Sequence, residues 1–94
     1  MSIKVKFPAL LHPSLRSSGL SYKTVEVSGH TIGECVDQLE ARFPGIKRGL
    51  CDEKGQLKLY YDIYVNSASS YPEELAKPVK DGDELVIVII AAGG

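Results

Sequence analysis

The residues at the end of the chain, Ala91-Ala92-Gly93-Gly94, have the clearest chemical potential. Side chains this small cannot pack, cap or pair well, so we expect residues 91–94 to protrude as a flexible, narrow peptide ending in a free carboxylate. Four extended residues reach about 13 Å, which is enough to enter the active site of a neighbouring protein. Glycines without Cβ atoms would let the backbone pass through a narrow channel and adopt whatever φ the channel demands.

The remaining reactive side chains are scattered along the sequence. His12 and His30 are isolated, and Cys35 and Cys51 are sixteen residues apart without a CxxC partner. We therefore expect reduced thiols, with Cys35 as a small residue facing the core, and a metal or redox role is a distant alternative because ligand spacing is missing. Because acids, bases and metal ligands do not cluster, the sequence predicts neither a catalytic set nor a metal site.

Composition narrows the classes of partner. The 94 residues predict one domain, and a hydrophobic content of 44% with 24% charged residues is ordinary for a soluble globular protein. A net charge of −1 gives no electrostatic reason to expect a nucleic-acid or anionic-membrane partner. Residues 1–6 lack the apolar stretch of a signal peptide, so a cytoplasmic location is expected.

The tail follows a strand that is apolar on both faces. Six apolar residues, 85–90, come after the turn Asp81-Gly82-Asp83 and predict a buried strand. Alternation divides these residues between the two faces of the strand. One face carries Leu85, Ile87 and Ile89, and the other carries Val86, Val88 and Ile90. A strand of this kind is normally covered on both sides. One helix can cover only one face of the sheet. The second face is therefore either covered by loops or, as we favour, exposed so that a partner protein can bind it.

The preceding elements predict an α+β roll with one main helix across one face of a sheet. Alternation predicts strands at residues 2–7 and 21–28, joined as an antiparallel hairpin by a long loop over residues 9–20. Thr31 and Glu34 have capping-box spacing at the start of a helix that Pro44-Gly45 ends.

The second half of the chain is predicted to return to strands. Residues 46–50 predict a short helical turn that fills one end of the core. Leu57 begins an alternating segment to Val65, read as one long or two short strands. A short strand and a one-turn helix at Pro72–Leu75 are expected before the final turn.

These features resemble the ThiS/MoaD family of ubiquitin-like sulfur carriers. The β-β-α opening is one part of the resemblance, and the others are Phe43-Pro44-Gly45, Tyr64-Val65-Asn66, the segment Pro78–Leu85 and the terminal Ala92-Gly93-Gly94. The resemblance covers the whole chain. It implies a β-grasp (ubiquitin-like) roll with a mixed four- to five-stranded sheet, in which residues 1–90 form a single domain and residues 91–94 a flexible tail.

The resemblance also implies chemistry at Gly94. An E1-like partner enzyme would use ATP to adenylate the terminal carboxylate, which would then receive sulfur as a thiocarboxylate, with Ala91, Ala92 and Gly93 forming the arm. The chain would be a carrier and co-substrate without a bound cofactor, monomeric when free, and its partners would be the E1-like enzyme and a sulfur-accepting synthase. The predicted docking surface comprises Val86, Val88, Ile90 and Phe7, although plain core packing explains Phe7 equally well.

The subtype and two alternatives remain open. Ile89-Ile90 stand where many molybdopterin synthase small subunits carry prolines, and thiamine carriers are usually shorter. The sequence is most similar to carriers that feed synthesis of cysteine or related sulfur amino acids. One alternative is a ubiquitin-like protein modifier joined through Gly94 to lysines of other proteins. The other is a β-grasp interaction module whose tail has no role.

Overall fold

The computed structural model, which describes residues 2–90, contains a five-stranded mixed sheet with one long helix packed against it. The strands lie in the order β2-β1-β5-β3-β4, and their bounds are β1 Ile3–Pro8, β2 Tyr22–Val27, β3 Tyr61–Val65, β4 Ala68–Ser69 and β5 Glu84–Ile89. The helices are α1 Pro13–Arg16, α2 Ile32–Arg42 and α3 Ile46–Leu50, with 3₁₀ turns at Ala9–Leu11 and Glu74–Ala76. The predicted α+β, β-grasp architecture is confirmed.

β5 lies in the centre of the sheet and is paired on both sides. It runs parallel to β1, with Val5 opposite Leu85, and antiparallel to β3, with Ile63 opposite Ile87. The carboxyl end of β5 therefore lies at the same end of the sheet as the carboxyl end of β1 and the start of β3. The connection from β1 to β2 also starts from this end, because the two strands are antiparallel neighbours.

The hydrophobic core lies between one face of the sheet and α2. Alternate residues of the central strands are buried there, and they pack against the apolar stripe of the helix. The fully buried side chains include Ile3, Val5, Phe7, Ile32, Cys35, Val36, Leu39, Ile63, Leu85 and Ile87. The prediction of a core-facing Cys35 is confirmed.

The helix α2 begins as the capping-box spacing predicts, with one shift. The Thr31 hydroxyl accepts a hydrogen bond from the Glu34 N–H at 3.2 Å. The Glu34 carboxylate accepts from the N–H of His30 at 2.7 Å, one residue before the cap. Two amides at the start of the helix are thus satisfied by side chains.

The turn from α2 to α3 closes one end of the core. Gly45 adopts φ = 101°, a conformation that favours glycine, and begins α3. The Glu40 carboxylate accepts hydrogen bonds from the N–H groups of Gly45 and Lys47 at 2.9 and 2.8 Å, which lower its pKa. Ile46 and Leu50 are fully buried, so the short helical turn fills the core as predicted.

The connection over residues 9–20 is not the loop that its serines and Pro13 suggest. It forms a 3₁₀ turn and α1, and Leu11 is buried in the core. The His12 ring joins it to the end of α2 through a 2.9 Å hydrogen bond between Nε2 and the carbonyl oxygen of Pro44. Side-chain hydrogen bonds and the buried Leu11 side chain therefore hold this connection against the rest of the domain.

The strand predicted from Leu57 starts only at Tyr61. Leu57 makes an isolated bridge with Cys51, and a turn closed by the hydrogen bond from the Tyr61 N–H to the Lys58 carbonyl at 3.0 Å precedes β3. This turn leaves Leu59 97% exposed. The alternative of one long strand from Leu57 to Val65 was wrong, because the turn breaks the two-residue period.

Candidate functional site

The last strand is held by the sheet up to the residue before the predicted tail. Tyr61 and Ile89 are paired across β3 and β5, and the Ile90 N–H donates to the carbonyl oxygen of Tyr60 at 2.7 Å. The predicted arm and reactive residue, Ala91, Ala92, Gly93 and Gly94, lie outside the described residues. The structure thus places the root of the tail at Ile90, at the end of the central strand β5.

A polar cluster at the start of β5 fixes the position of this strand. The Asp83 carboxylate accepts hydrogen bonds from the Asn66 side-chain amide and from the Lys80 N–H, both at 2.9 Å. Asn66 in turn accepts from the Glu84 N–H at 3.0 Å. The Lys80 and Asn66 hydrogen bonds lower the pKa of Asp83, which is largely buried. Asn66 and Asp83 thereby join the turn after β3 to the start of β5.

The same turn also holds the beginning of β1. Gly82, at φ = 89°, donates its N–H to the carbonyl oxygen of Ser2 at 2.9 Å, and the Ser2 N–H donates to the Asp81 carboxylate. The Lys4 N–H donates to the carbonyl oxygen of Asp83 at 3.2 Å. Two of the segments on which the family resemblance rests therefore have a structural role. They fix the register of β5 and, with it, the position at which the chain leaves the sheet.

The face of β5 opposite the core is partly accessible. Val86 and Val88 are half-buried there, and Val86 lies between Lys6 of β1 and Tyr64 of β3. Ile90, beyond the end of the strand, is 44% exposed. The structure thus leaves part of each of these three predicted docking residues available to a partner.

Phe7 does not belong to this surface. Its side chain is completely buried and packs edge-on against Phe43, with ring centroids 5.6 Å apart. It shares the inner face of β1 with Ile3 and Val5, so it points towards α2 rather than outwards. The prediction of Phe7 as a docking residue was wrong.

The cysteines have the properties of buried structural residues. Burial, with a smaller contribution from Glu34, raises the pKa of Cys35 to about 11, and burial also raises that of Cys51. Both are free thiols. A thiol with a raised pKa remains protonated at neutral pH and is a poor nucleophile.

Residues 2–90 hold no group of three or more His, Cys, Asp or Glu side chains that could bind a metal ion. Within the same residues, no helix is long and apolar enough to cross a membrane. The His12 ring is engaged with the Ser14 hydroxyl and the carbonyl oxygen of Pro44.

Sequence reasoning missed the two residues beside the root of the tail, Leu59 and Tyr60. Tyr60 is 44% exposed and its carbonyl oxygen accepts the hydrogen bond from Ile90. Their proximity to the tail depends on the pairing of β3 with β5, which no local sequence pattern reveals.

Known proteins match this chain in both sequence and fold. The sequence model of the ThiS family matches residues 5–94. The chain belongs to the ThiS family. This ThiS-family chain is 34% identical, over 97 aligned residues that cover both proteins completely, to the sulfur carrier protein CysO of Mycobacterium tuberculosis.

Solved structures agree with this assignment. CysO of Mycobacterium tuberculosis superposes with a TM-score of 0.77 at 32% identity, covering 94% of this chain and 98% of its own. A structure from the BexX/CysO complex of Amycolatopsis orientalis gives 0.77 at 33% identity, covering 98% and 99%. The SAMP1 protein of Haloferax volcanii gives 0.71 at 24% identity and covers both chains completely, which shows a shared fold.

Proposed function

We propose that this protein is a sulfur carrier whose Gly94 carboxylate is converted to a thiocarboxylate. One observation carries the proposal. In this ThiS-family chain the sheet holds the backbone up to Ile90, so Ala91-Ala92-Gly93-Gly94, which follow in the sequence, would form the arm that presents the carboxylate. Extended, four residues span about 13 Å, a length suited to an enclosed active site.

The chemistry would proceed in two steps within partner enzymes. A Gly94 carboxylate oxygen attacks the α-phosphate of ATP, which forms an acyl adenylate and releases pyrophosphate. A sulfide ion (HS⁻) then attacks the acyl carbon and displaces AMP, which gives the thiocarboxylate and releases a proton. The similarity to the sulfur carrier protein CysO over the whole chain supports a carrier and co-substrate rather than a catalyst.

The partners that this chemistry requires are an E1-like adenylating enzyme and an enzyme that accepts the sulfur. We propose that the outer face of β5, with Val86, Val88 and Ile90, contacts the adenylating enzyme, since these apolar side chains are partly exposed along the segment that leads to the tail root. The similarity to CysO favours synthesis of cysteine or a related sulfur amino acid as the destination of the sulfur.

Reconstitution tests the proposal directly. The protein is incubated with the adenylating enzyme of its own organism, ATP and a sulfide source, and its intact mass is measured. We expect a mass gain equal to the exchange of one oxygen for one sulfur. Gly93→Ala should reduce the yield without changing thermal stability, because a Cβ obstructs a narrow channel but not the fold. Unmodified wild-type protein under these conditions would contradict the proposal.

A docking variant completes this test. Val88→Asp places a charge on the outer face of β5 and should weaken activation. Thr24→Asp serves as the control, because Thr24 is exposed on edge strand β2, where it pairs with Lys6 of β1. Equal activation of the two variants would remove the outer face of β5 from the interface. Conjugates to other proteins that survive denaturation and reducing agent would instead favour the modifier alternative.

A further inference from the structure

The end of β5 is paired on one side only. Its pairing with β1 stops at Val86, which lies opposite Lys6. Its pairing with β3 continues to Ile89, which lies opposite Tyr61. Within residues 2–90, the last residues of β5 therefore depend on β3 for their position.

Pro8 explains why β1 does not continue this pairing. The Lys4 N–H donates to the carbonyl oxygen of Asp83 at 3.2 Å. Along a strand, the N–H groups that point to the same neighbour recur at every second residue, so the positions of β1 that face β5 are 4, 6 and 8. Residue 8 is a proline, which has no N–H to donate. Among the described strands, the sequence of β1 thus leaves the end of β5 to β3 alone.

One hydrogen bond continues the pairing beyond Ile89. The Ile90 N–H donates to the carbonyl oxygen of Tyr60 at 2.7 Å. Ile89 and Ile90 are 49 and 44% exposed, so only part of each side chain packs against the domain. We call the hydrogen bond between Tyr60 and Ile90 the root bond, because it is the last backbone hydrogen bond that the described residues make before residues 91–94.

The acceptor of the root bond is connected to the core through a turn. The Lys58 N–H donates to the carbonyl oxygen of Leu50, and the Tyr61 N–H donates to that of Lys58, both at 3.0 Å. Leu50 is fully buried. The Tyr60 ring lies against the ring of Tyr61 with a centroid distance of 4.9 Å. The Tyr60 carbonyl therefore has a fixed position relative to the core, and the root bond ties Ile90 to it.

We infer that Tyr60 is a positioning residue for the reaction at Gly94. By holding Ile90, its carbonyl group fixes the point at which the arm begins, and with it the depth that the Gly94 carboxylate reaches inside the adenylating enzyme. The inference rests on the proposed function. Each residue of an extended chain adds about 3.3 Å, so breaking the root bond lengthens the arm by about that distance. A misplacement of this size at a reacting atom is large, since about 1 Å can cost a hundredfold in rate.

A shortened arm can restore its reach only by breaking the root bond. A backbone hydrogen bond changes an equilibrium constant by about twofold to tenfold, and the partial packing of Ile90 is lost with it. A carrier with one residue fewer in the arm should therefore react about tenfold more slowly. A carrier that lacks the root bond from the outset has no such bond to break.

This difference is tested by one deletion in two backgrounds. Deletion of Ala92 shortens the arm by one residue. Ile90→Pro removes the donor of the root bond, and Ile90→Val is the matched control, because valine keeps the N–H and has as many side-chain carbons as proline. The rate of ATP–pyrophosphate exchange with the adenylating enzyme of the same organism is measured at saturating carrier for each protein, with and without the deletion.

We expect the deletion to lower kcat about tenfold or more in the wild type and in Ile90→Val, but less than about threefold in Ile90→Pro. A purely structural role of the root bond would instead make the two changes add. The melting temperature of Ile90→Pro should stay close to that of Ile90→Val. In the free wild-type protein, the Ile90 amide should be protected from hydrogen exchange.

The possible results separate this inference from the proposed function. If the wild-type protein supports no exchange, the proposed function fails. If the wild type is active and the deletion has the same effect in Ile90→Pro as in Ile90→Val, or no effect in the wild type, the inference is overturned. An Ile90→Pro protein that is inactive with both arm lengths also overturns it, because a released arm should still reach the reaction centre. An unprotected Ile90 amide contradicts it as well.

Discussion

The Asp83 carboxylate should contribute a large share of the stability of the last strand, and Asp83→Asn measures it. The substitution preserves shape but removes the charge. Asparagine has one acceptor oxygen and a donor NH₂ group, so it cannot accept both hydrogen bonds that Asp83 now accepts, from the Asn66 amide and the Lys80 N–H. A hydrogen bond to a charged group contributes about 1.5–3 kcal/mol. Loss of one such bond and weakening of the other predicts a decrease of about 2–3 kcal/mol in the free energy of unfolding.

Urea denaturation followed by circular dichroism provides the assay. With an m-value of about 1 kcal/mol/M for a domain of this size, the midpoint should fall by about 2–3 M. Asp81→Asn is the control, because Asp81 is exposed and its described side-chain bond is with the Ser2 N–H near the chain terminus. It should lower the free energy of unfolding by less than about 1 kcal/mol.

The effect of Asp83→Asn should also depend on pH. Because folding lowers the pKa of Asp83 from its ordinary value of 3.8, the ionised carboxylate stabilises the fold above that value. This stabilisation disappears as pH falls through the lowered pKa of the folded state. The difference in the free energy of unfolding between wild type and variant should therefore be largest at pH 7 and should decrease in acid below pH 3.8. A difference that does not change with pH, or a loss no greater than that of Asp81→Asn, would refute the role of this carboxylate.

Three further substitutions or modifications test the core and the turns. Phe7→Ala should cost about 3–5 kcal/mol in the free energy of unfolding, because Phe7 is fully buried; a loss under about 1 kcal/mol would contradict core packing. Gly45→Ala should lower the same quantity by about 1–2 kcal/mol, since φ is 101° there; an increased melting temperature would show the strain argument to be wrong. Cys35 and Cys51 should resist a thiol reagent at pH 7 until urea unfolds the protein, because both are buried; rapid labelling of native protein would be inconsistent with this.

Much of the fold could be predicted because its signals are local. The helix start at Thr31 depends on a hydroxyl and a carboxylate three residues apart, and its end depends on Pro44-Gly45. The last strand follows from six apolar residues after a turn of aspartates and glycine. These patterns involve a few neighbouring residues, so they can be recognised without knowledge of the tertiary structure.

The predictions that failed depend on pairing between distant segments. Alternation groups Phe7 with Ile3 and Val5, but it does not say which face of the strand α2 covers. Leu59 continues the apolar alternation of β3, yet the turn before Tyr61 takes it out of the sheet. For the candidate site, the sequence indicated the tail and the outer residues of β5. It could not indicate that Leu59 and Tyr60 lie beside the root, because that depends on the register of β3 with β5.

The most direct measurement of the central claim is the intact mass of the protein isolated from its own cells. We expect a species heavier by the exchange of one oxygen for one sulfur, which disappears when Gly94 is deleted. A protein of unmodified mass, in cells that contain the adenylating enzyme and a sulfur source, would contradict the claim that Gly94 carries sulfur.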